Sequence, residues 1–256
     1  MPVSGDLAAS ALAESLRLLV AAIPRGWERQ QPGILAAVTG SEAPALNGVW
    51  VYGMDAASGD IADLLDDVAA TGLPHCIQGR PASAARLEEL AAARGMSADN
   101  DIPLMVFEHP RPPASEVRGD ALIIRELEPE DAALHAVTAA AGFEAPVEVF
   151  LQLITPQVLS VDGVRCYLGE VNGKAVTTGL GATFGAYVGI FNIATPPAHR
   201  HHGYGAAVTA RAVADGLDSG ATWSWLQASP SGLALYKRLG FRTVEAWRCW
   251  VAPPAS

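Results

Sequence analysis

The order strand, helix, strand, helix, strand can be read twice along this chain, over residues 45–108 and again over 186–251, and nothing else in it constrains the fold as tightly. In the first copy, "ALNGVWVYGMDA", "LPHCIQG" and "IPLMVFE" read as strands by their branched and apolar content. "ASGDIADLLDDVAATG" and "ASAARLEELAAARGM" between them carry helical spacing. The second copy runs "AYVGIFNIAT", "YGAAVTARAVADGLDSG", "TWSWLQA", "SPSGLALYKRLG" and "FRTVEAWRCWVA". The first copy lacks two things that the second has: a glycine-rich turn before its first helix and a tyrosine in its second. It is a degenerate repeat.

Between the copies lies "EHPRPPASEVRGD" (108–120), proline-rich and without apolar periodicity, which reads as a linker. The expected division is a first domain over 1–107, the linker over 108–120 and a second domain over 121–256. After the linker come the strand "ALIIREL", the helix "EPEDAALHAVTAAAGF" and a further helix within "PVEVFLQLITPQVLS". "VRCYLGEV" and "KAVTTGLGATF" flank Asn172-Gly173, the pair a type I′ hairpin turn prefers because both central residues need positive φ. In the helix after Gly205, Ala206, Thr209, Ala210, Val213 and Leu217 form an apolar stripe, with Arg211, Asp215 and Asp218 turned away. Ser229, Pro230 and Gly240 supply an N-cap, a first-turn proline and a terminating glycine for the last helix.

Composition narrows the partners. With 50% hydrophobic residues and a net charge of −10, the chain can build a full core and lacks the basic surface that nucleic acid needs. The halves differ: residues 1–118 hold 8 basic and 15 acidic groups, residues 119–256 hold 9 and 12. An anionic ligand is therefore expected on the second half. Three cysteines, Cys76, Cys166 and Cys249, lie far apart without CxxC pairing, which suits a reducing compartment. The opening "MPVSGDLAASALAESLRLLVAA" has charges inside its apolar run and no basic start, so it reads as an amphipathic helix and not a signal peptide. The uncharged run from Ala175 to His199 is interrupted by glycine, threonine and proline, which argues against a membrane span. The expectation is a soluble, cytoplasmic protein.

The densest chemistry is "PAHRHHGYGAAV" (197–208). Gly203 and Gly205 sit just ahead of a helix, whose N-terminus presents unpaired N–H groups and a partial positive charge suited to phosphate. A metal site on His199, His201 and His202 is disfavoured. His201 and His202 are adjacent and diverge, and no carboxylate or thiolate joins them. The plainer alternatives are solvated loop histidines and an ordinary strand-to-helix turn.

Arg200-His201-His202-Gly203-Tyr204-Gly205 resembles the Arg/Gln-x-x-Gly-x-Gly/Ala pattern of the GNAT superfamily of acyl-CoA-dependent N-acyltransferases. Tyr236-Lys237-Arg238-Leu239-Gly240-Phe241 resembles that family's Tyr-x-x-x-Gly-Phe. The resemblance covers roughly 120–251 well and the first half only in outline. It implies two GNAT-like repeats of the α/β (α+β) class, each a mixed, mainly antiparallel sheet flanked by helices. It implies acetyl-CoA as co-substrate, no metal, and a primary amine of a small molecule as acceptor, and it leaves a homodimer open. Arg200, His201, His202, Gly203, Tyr204, Gly205 and Ala206 would cradle the coenzyme A pyrophosphate. Ile193, Ala194 and Thr195 would pair with the pantetheine arm and thioester. Tyr236 would protonate the leaving thiolate, its alternative being a core tyrosine with a hydrogen-bonded hydroxyl.

Two departures stand out. The strand "AYVGIFNIAT" carries no carboxylate where many family members have a glutamate base, so Glu144, Glu148, Glu170 or a backbone-held water remain open. Ser229 stands where an asparagine is usual. A non-catalytic acyl-CoA-binding protein is therefore the competing function. Trp223 and Trp225 share a strand face and could line an acceptor pocket, but core packing suits them, Trp247 and Trp250 better.

Overall fold

The computed structural model describes residues 2–113 and 116–253. The chain divides into two compact units. One comprises residues 2–105, Gln227–Pro230 and Thr243 onward; the other comprises Val106–Leu226 and Ser231–Arg242.

The first unit opens with α1 (Gly5–Ala21), where the Ser4 hydroxyl accepts the N–H of Leu7 at 3.2 Å, an N-cap bond that satisfies one orphan donor of the first turn. β1 (Trp27–Gln31), β2 (Ile34–Val38) and β3 (Asn47–Val51) form an antiparallel meander. β3 leads through α2 (Ser58–Ala69) to β4 (Cys76–Gly79), which pairs with it in parallel, Gly48 opposite Cys76. α3 (Ala84–Ala92), the two-residue β5 (Ser97–Ala98) and β6 (Ile102–Phe107) follow. Ile34, Val49, Ile61, Leu65, Ile77, Leu87 and Trp250 are buried together in its core.

The second unit holds β7 (Ile123–Glu126), α4 (Ala132–Phe143), α5 (Val147–Leu153) and α6 (Pro156–Leu159), then β8 (Val164–Val171), β9 (Lys174–Phe184) and β10 (Tyr187–Ala194). α7 (Tyr204–Asp218), β11 (Trp223–Gln227), α8 (Leu233–Arg238) and β12 (Arg242–Val251) complete the chain. Its strands lie in the order β11-β10-β9-β8-β7, antiparallel except for the parallel pair β10–β11. Each unit thus contains an antiparallel meander followed by a strand–helix–strand parallel step. The repeated order in the sequence is a repeat in structure, and each sheet is mixed and mainly antiparallel with helices against it. The hairpin turn falls where expected, with φ of 51° at Asn172 and 73° at Gly173.

Three details differ from the sequence reading. The buried side of α7 is Val208, Thr209, Ala212, Val213 and Gly216, a stripe rotated from the expected one because the helix begins at Tyr204 and seats Gly216 against Val188 of β10. The last helix starts at Leu233, with Gly232 as its N-cap, because residues 230–232 form a turn. Residues from Thr243 on group with the first unit and not with 121–242. There β12 pairs antiparallel with β4, Cys249 opposite Gln78, and the buried Arg80 guanidinium binds the Glu245 carboxylate.

Candidate active site

The site in the second unit is built where β10 loses its regularity. β10 pairs with β9 at Phe191↔Leu180 and again at Ala194↔Thr178, so one extra residue is accommodated on β10, and Asn192 takes a φ of 52°. Such a bulge leaves peptide groups outside the ladder, aimed away from the neighbouring strand. Two threonines of β9 hold it. The Thr178 hydroxyl donates to the Asn192 carbonyl at 3.0 Å and the Thr177 hydroxyl to the Ala194 carbonyl at 2.8 Å; Thr177 and Thr195 hydroxyls are 3.0 Å apart. Thr177 and Thr178 are fully buried. Ile193 lies between the two clamped carbonyls. On its other side β10 pairs with β11 only from Tyr187↔Trp223 to Gly189↔Trp225, so the stretch from Ile190 to Ala194 has no β11 partner.

Downstream of Thr195 the chain makes a 3-10 turn (Pro197–His199) and then a tight loop with φ of 67° at His201 and 86° at Gly203, the N-cap of α7. Left-handed residues this close together turn successive N–H groups toward one side, a concavity that suits an anion. None of the N–H groups of His201, His202, Gly203, Tyr204, Gly205 and Ala206 finds an acceptor among the described residues. The first four N–H groups of any helix lack intrahelical partners; here the two preceding residues extend the set.

The side chains of this loop organise it. Arg200 donates to the carbonyls of Thr195 (3.1 Å) and Gly142 (2.9 Å) and to the Glu144 carboxylate (2.9 Å). His202 places Nδ1 2.8 Å from the Arg200 carbonyl, so Nδ1 carries the proton, and its ring stacks on Tyr204 with centroids 5.3 Å apart. The two glycines differ in what surrounds them. A Cβ at Gly203 would strike the carbonyl oxygen of Glu116, and a Cβ at Gly205 would sit at ordinary contact distance, 3.4 Å from the Thr195 hydroxyl and 3.5 Å from Leu235. Gly203 is required by its φ and by the segment packed on it, whereas at Gly205 the first turn of α7 leaves room for a Cβ between β10 and α8.

Leu235 brings α8, and with it Tyr236, to this junction. Tyr236 is 9% exposed and packs edge-on against Phe241, ring centroids 6.0 Å apart. Its hydroxyl makes no hydrogen bond among the described residues, unlike that of an ordinary core tyrosine. Burial pushes its pKa up to about 12, so the phenol stays protonated at neutral pH.

Of the carboxylates considered as bases, Glu144 is paired with Arg200 and Glu170 with Arg125 at 2.9 Å, while Glu148 is exposed in the first turn of α5. All four tryptophans named from the sequence are buried, Trp225 meeting Phe191 edge to face at 5.2 Å. Among the described residues no cluster of histidine, cysteine and carboxylate side chains is placed to hold a metal, and no helix is long and apolar enough to cross a membrane. The equivalent turn of the first unit, between β3 and α2, contains no left-handed residue. The carbonyls at its two ends, Tyr52 and Ala56, are bound by Arg80 and Arg86.

Sequence reasoning missed Thr177 and Thr178. Their signal was available: two adjacent hydroxyl residues in the middle of an otherwise apolar strand. It also took 116–119 for a spacer, whereas the Arg118 N–H donates to the His202 carbonyl at 3.0 Å.

The second unit is thus a mixed α/β sheet whose bulged central strand β10 leaves its parallel neighbour after Gly189 and leads into a loop of unpaired N–H groups at the start of α7. Residues 131–241, which fall in the second unit, match the acetyltransferase (GNAT) family model. The whole chain is similar in fold to a GCN5-related N-acetyltransferase from Kribbella flavida (18% identity, TM-score 0.70, covering 96% of this chain and 95% of that one). It also resembles one from Sphaerobacter thermophilus (18%, TM-score 0.60, 100% and 95%). A tandem GNAT protein from the clavulanic acid biosynthesis pathway matches along 98% of this chain and 97% of its own at 16% identity, TM-score 0.58, in line with two repeats. No curated protein matches the chain.

Proposed function

We propose that the second unit transfers an acetyl group from acetyl-CoA to a primary amine of a small molecule. The observation that carries this reading is the run of six unpartnered N–H groups at 201–206 beside a clamped bulge and an unbonded, protonated phenol. The N–H groups of 201–206 take the pyrophosphate, and Ile193, Ala194 and Thr195 take the pantetheine and thioester. Arg200 acts through its backbone position and by fixing the loop, since its guanidinium is already engaged.

The amine nitrogen attacks the thioester carbon, the tetrahedral intermediate collapses, and the carbon–sulfur bond breaks. Tyr236 gives its phenolic proton to the departing thiolate, a task for which a phenol held neutral by burial is suited. The proton lost by the amine passes to water or to Glu148, the one candidate carboxylate without an ion pair. The first unit is a repeat that binds no coenzyme A. All three cysteines are free thiols, as a cytoplasmic setting allows.

The second reading, acyl-CoA binding without turnover, is favoured by one observation: β10 carries no carboxylate. Thiol release measured against a panel of amines, with the melting shift on coenzyme A as control, separates the two. Release with any amine supports transfer; a melting shift without release supports binding alone; neither response refutes both.

A further inference from the structure

We infer that Arg118, on the segment between the two repeats, supplies the cation that pairs with a phosphate of coenzyme A at the 201–206 loop. The inference rests on the acyl-CoA reading above. It begins from a deficit of charge. The loop offers neutral N–H donors, while the ligand is a polyanion and the chain carries −10. Its own arginine, Arg200, is turned onto Thr195, Gly142 and Glu144. The next arginine along α7, Arg211, is bound by both oxygens of Asp215 at 2.9 and 2.8 Å. Lys237 and Arg238 lie in the last turn of α8.

Arg118 differs from Arg200 and Arg211 in being unpaired, and from Lys237 and Arg238 in being tied by its backbone to the loop itself. Its backbone N–H is bonded to the His202 carbonyl at 3.0 Å, which fixes its Cα against the loop. Two neighbours hold the segment in place: the Glu116 carbonyl lies on Gly203, and Asp120 accepts from the Asn172 amide at 2.8 Å. The Arg118 side chain is exposed, and its guanidinium meets no carboxylate or carbonyl among the described residues. A guanidinium is always charged and its fork of donors matches phosphate oxygens, so an unpaired one beside unpaired N–H groups completes an anion site. Glu116 and Asp120 carry the opposing charges on the same segment; Asp120 is bonded to Asn172 and neither makes an ion pair with Arg118 among the described residues.

The test uses the full chain with coenzyme A and with 3′-dephospho-coenzyme A, titrated by calorimetry at low and high salt. Arg118→Gln is expected to melt like the wild type without ligand and to bind coenzyme A roughly 5- to 10-fold more weakly at low salt, the difference shrinking as salt screens the pair. A loss confined to coenzyme A assigns the contact to the 3′-phosphate; an equal loss with both ligands assigns it to the diphosphate. Arg118→Lys, which keeps the charge, should recover part of the affinity. Equal affinity of Arg118→Gln and wild type for coenzyme A at low salt overturns the inference. A wild-type chain that binds neither ligand overturns the acyl-CoA reading itself, and this inference with it.

Discussion

The hydroxyl of Thr178 donates to the carbonyl of Asn192 across the β9–β10 interface, and this bond holds open the bulge that contains Ile193. A hydroxyl on one strand therefore sets the backbone direction of the other. Thr178→Val keeps the side-chain volume and removes the bond. We expect a loss of about 1 kcal/mol in denaturant unfolding, typical of a buried hydrogen bond. Thioester placement should suffer more, with kcat/KM for acetyl-CoA falling about 10-fold or further. Thr178→Ser should restore both. Wild-type kinetics in the valine variant would separate the bulge from catalysis.

For Tyr236, the phenylalanine variant keeps the ring and its packing on Phe241. Coenzyme A affinity should stay near normal while turnover drops roughly 10²- to 10⁴-fold, the range for a positioned general acid. The lower end is expected, because a thiolate leaves in part unassisted. Single-turnover rates across pH are the measurement, and an unchanged chemical step returns Tyr236 to a packing role.

Gly203 is held at a φ of 86° with the Glu116 carbonyl on its Cβ side. Gly203→Ala should cost about 1–3 kcal/mol in stability from backbone strain alone, with the collision added. Gly205→Ala, whose Cβ meets only ordinary contacts, should unfold near the wild-type midpoint. Reversal of that order in urea titrations would contradict the geometry.

His135 gives a pH dependence. It lies fully buried on α4, and burial, outweighing the Gly179 backbone that favours the charged ring, lowers its pKa from 6.5 to about 4. The folded state therefore favours the neutral ring. Stability from this group is complete above the unfolded value of 6.5 and is lost as pH falls from there toward 4, at about 1.4 kcal/mol per pH unit. Unfolding compared near neutrality and near pH ~5 should show the wild type losing stability, and His135→Leu losing less. Parallel losses would place the acid sensitivity elsewhere.

Much of this molecule was legible in its sequence because the signals were local. Asn172-Gly173 dictated its own turn, and Arg200 to Gly205 fell at a strand-to-helix junction that the flanking periodicities already implied. What escaped depended on the partner strand. Nothing local to Asn192 tells that Thr178 will bend its carbonyl out of the ladder. Nothing in "ASEVRGD" tells that Arg118 will bond to His202, since a segment without periodicity reads as a spacer whether or not it is held. The cap signals at Ser229 and Pro230 were sound as propensities but were overridden by a turn three residues long. The α7 stripe was misjudged by one position, enough to rotate a helix face by about 100°.

The placement of β12 alters what the chain can do while it is being made. β4, residues 76–79, takes its antiparallel neighbour from residues 248–251, and Arg80 takes its main counter-ion from Glu245. A nascent chain that has passed the linker therefore carries a first unit with one sheet position vacant and with Arg80 paired to Asp6 but not yet to Glu245. The half that is translated first stays incomplete until residues 245–251 have been made. Any break in the chain near residue 245 is then a lesion in the fold of the first unit, although it lies 165 residues from Arg80 in sequence.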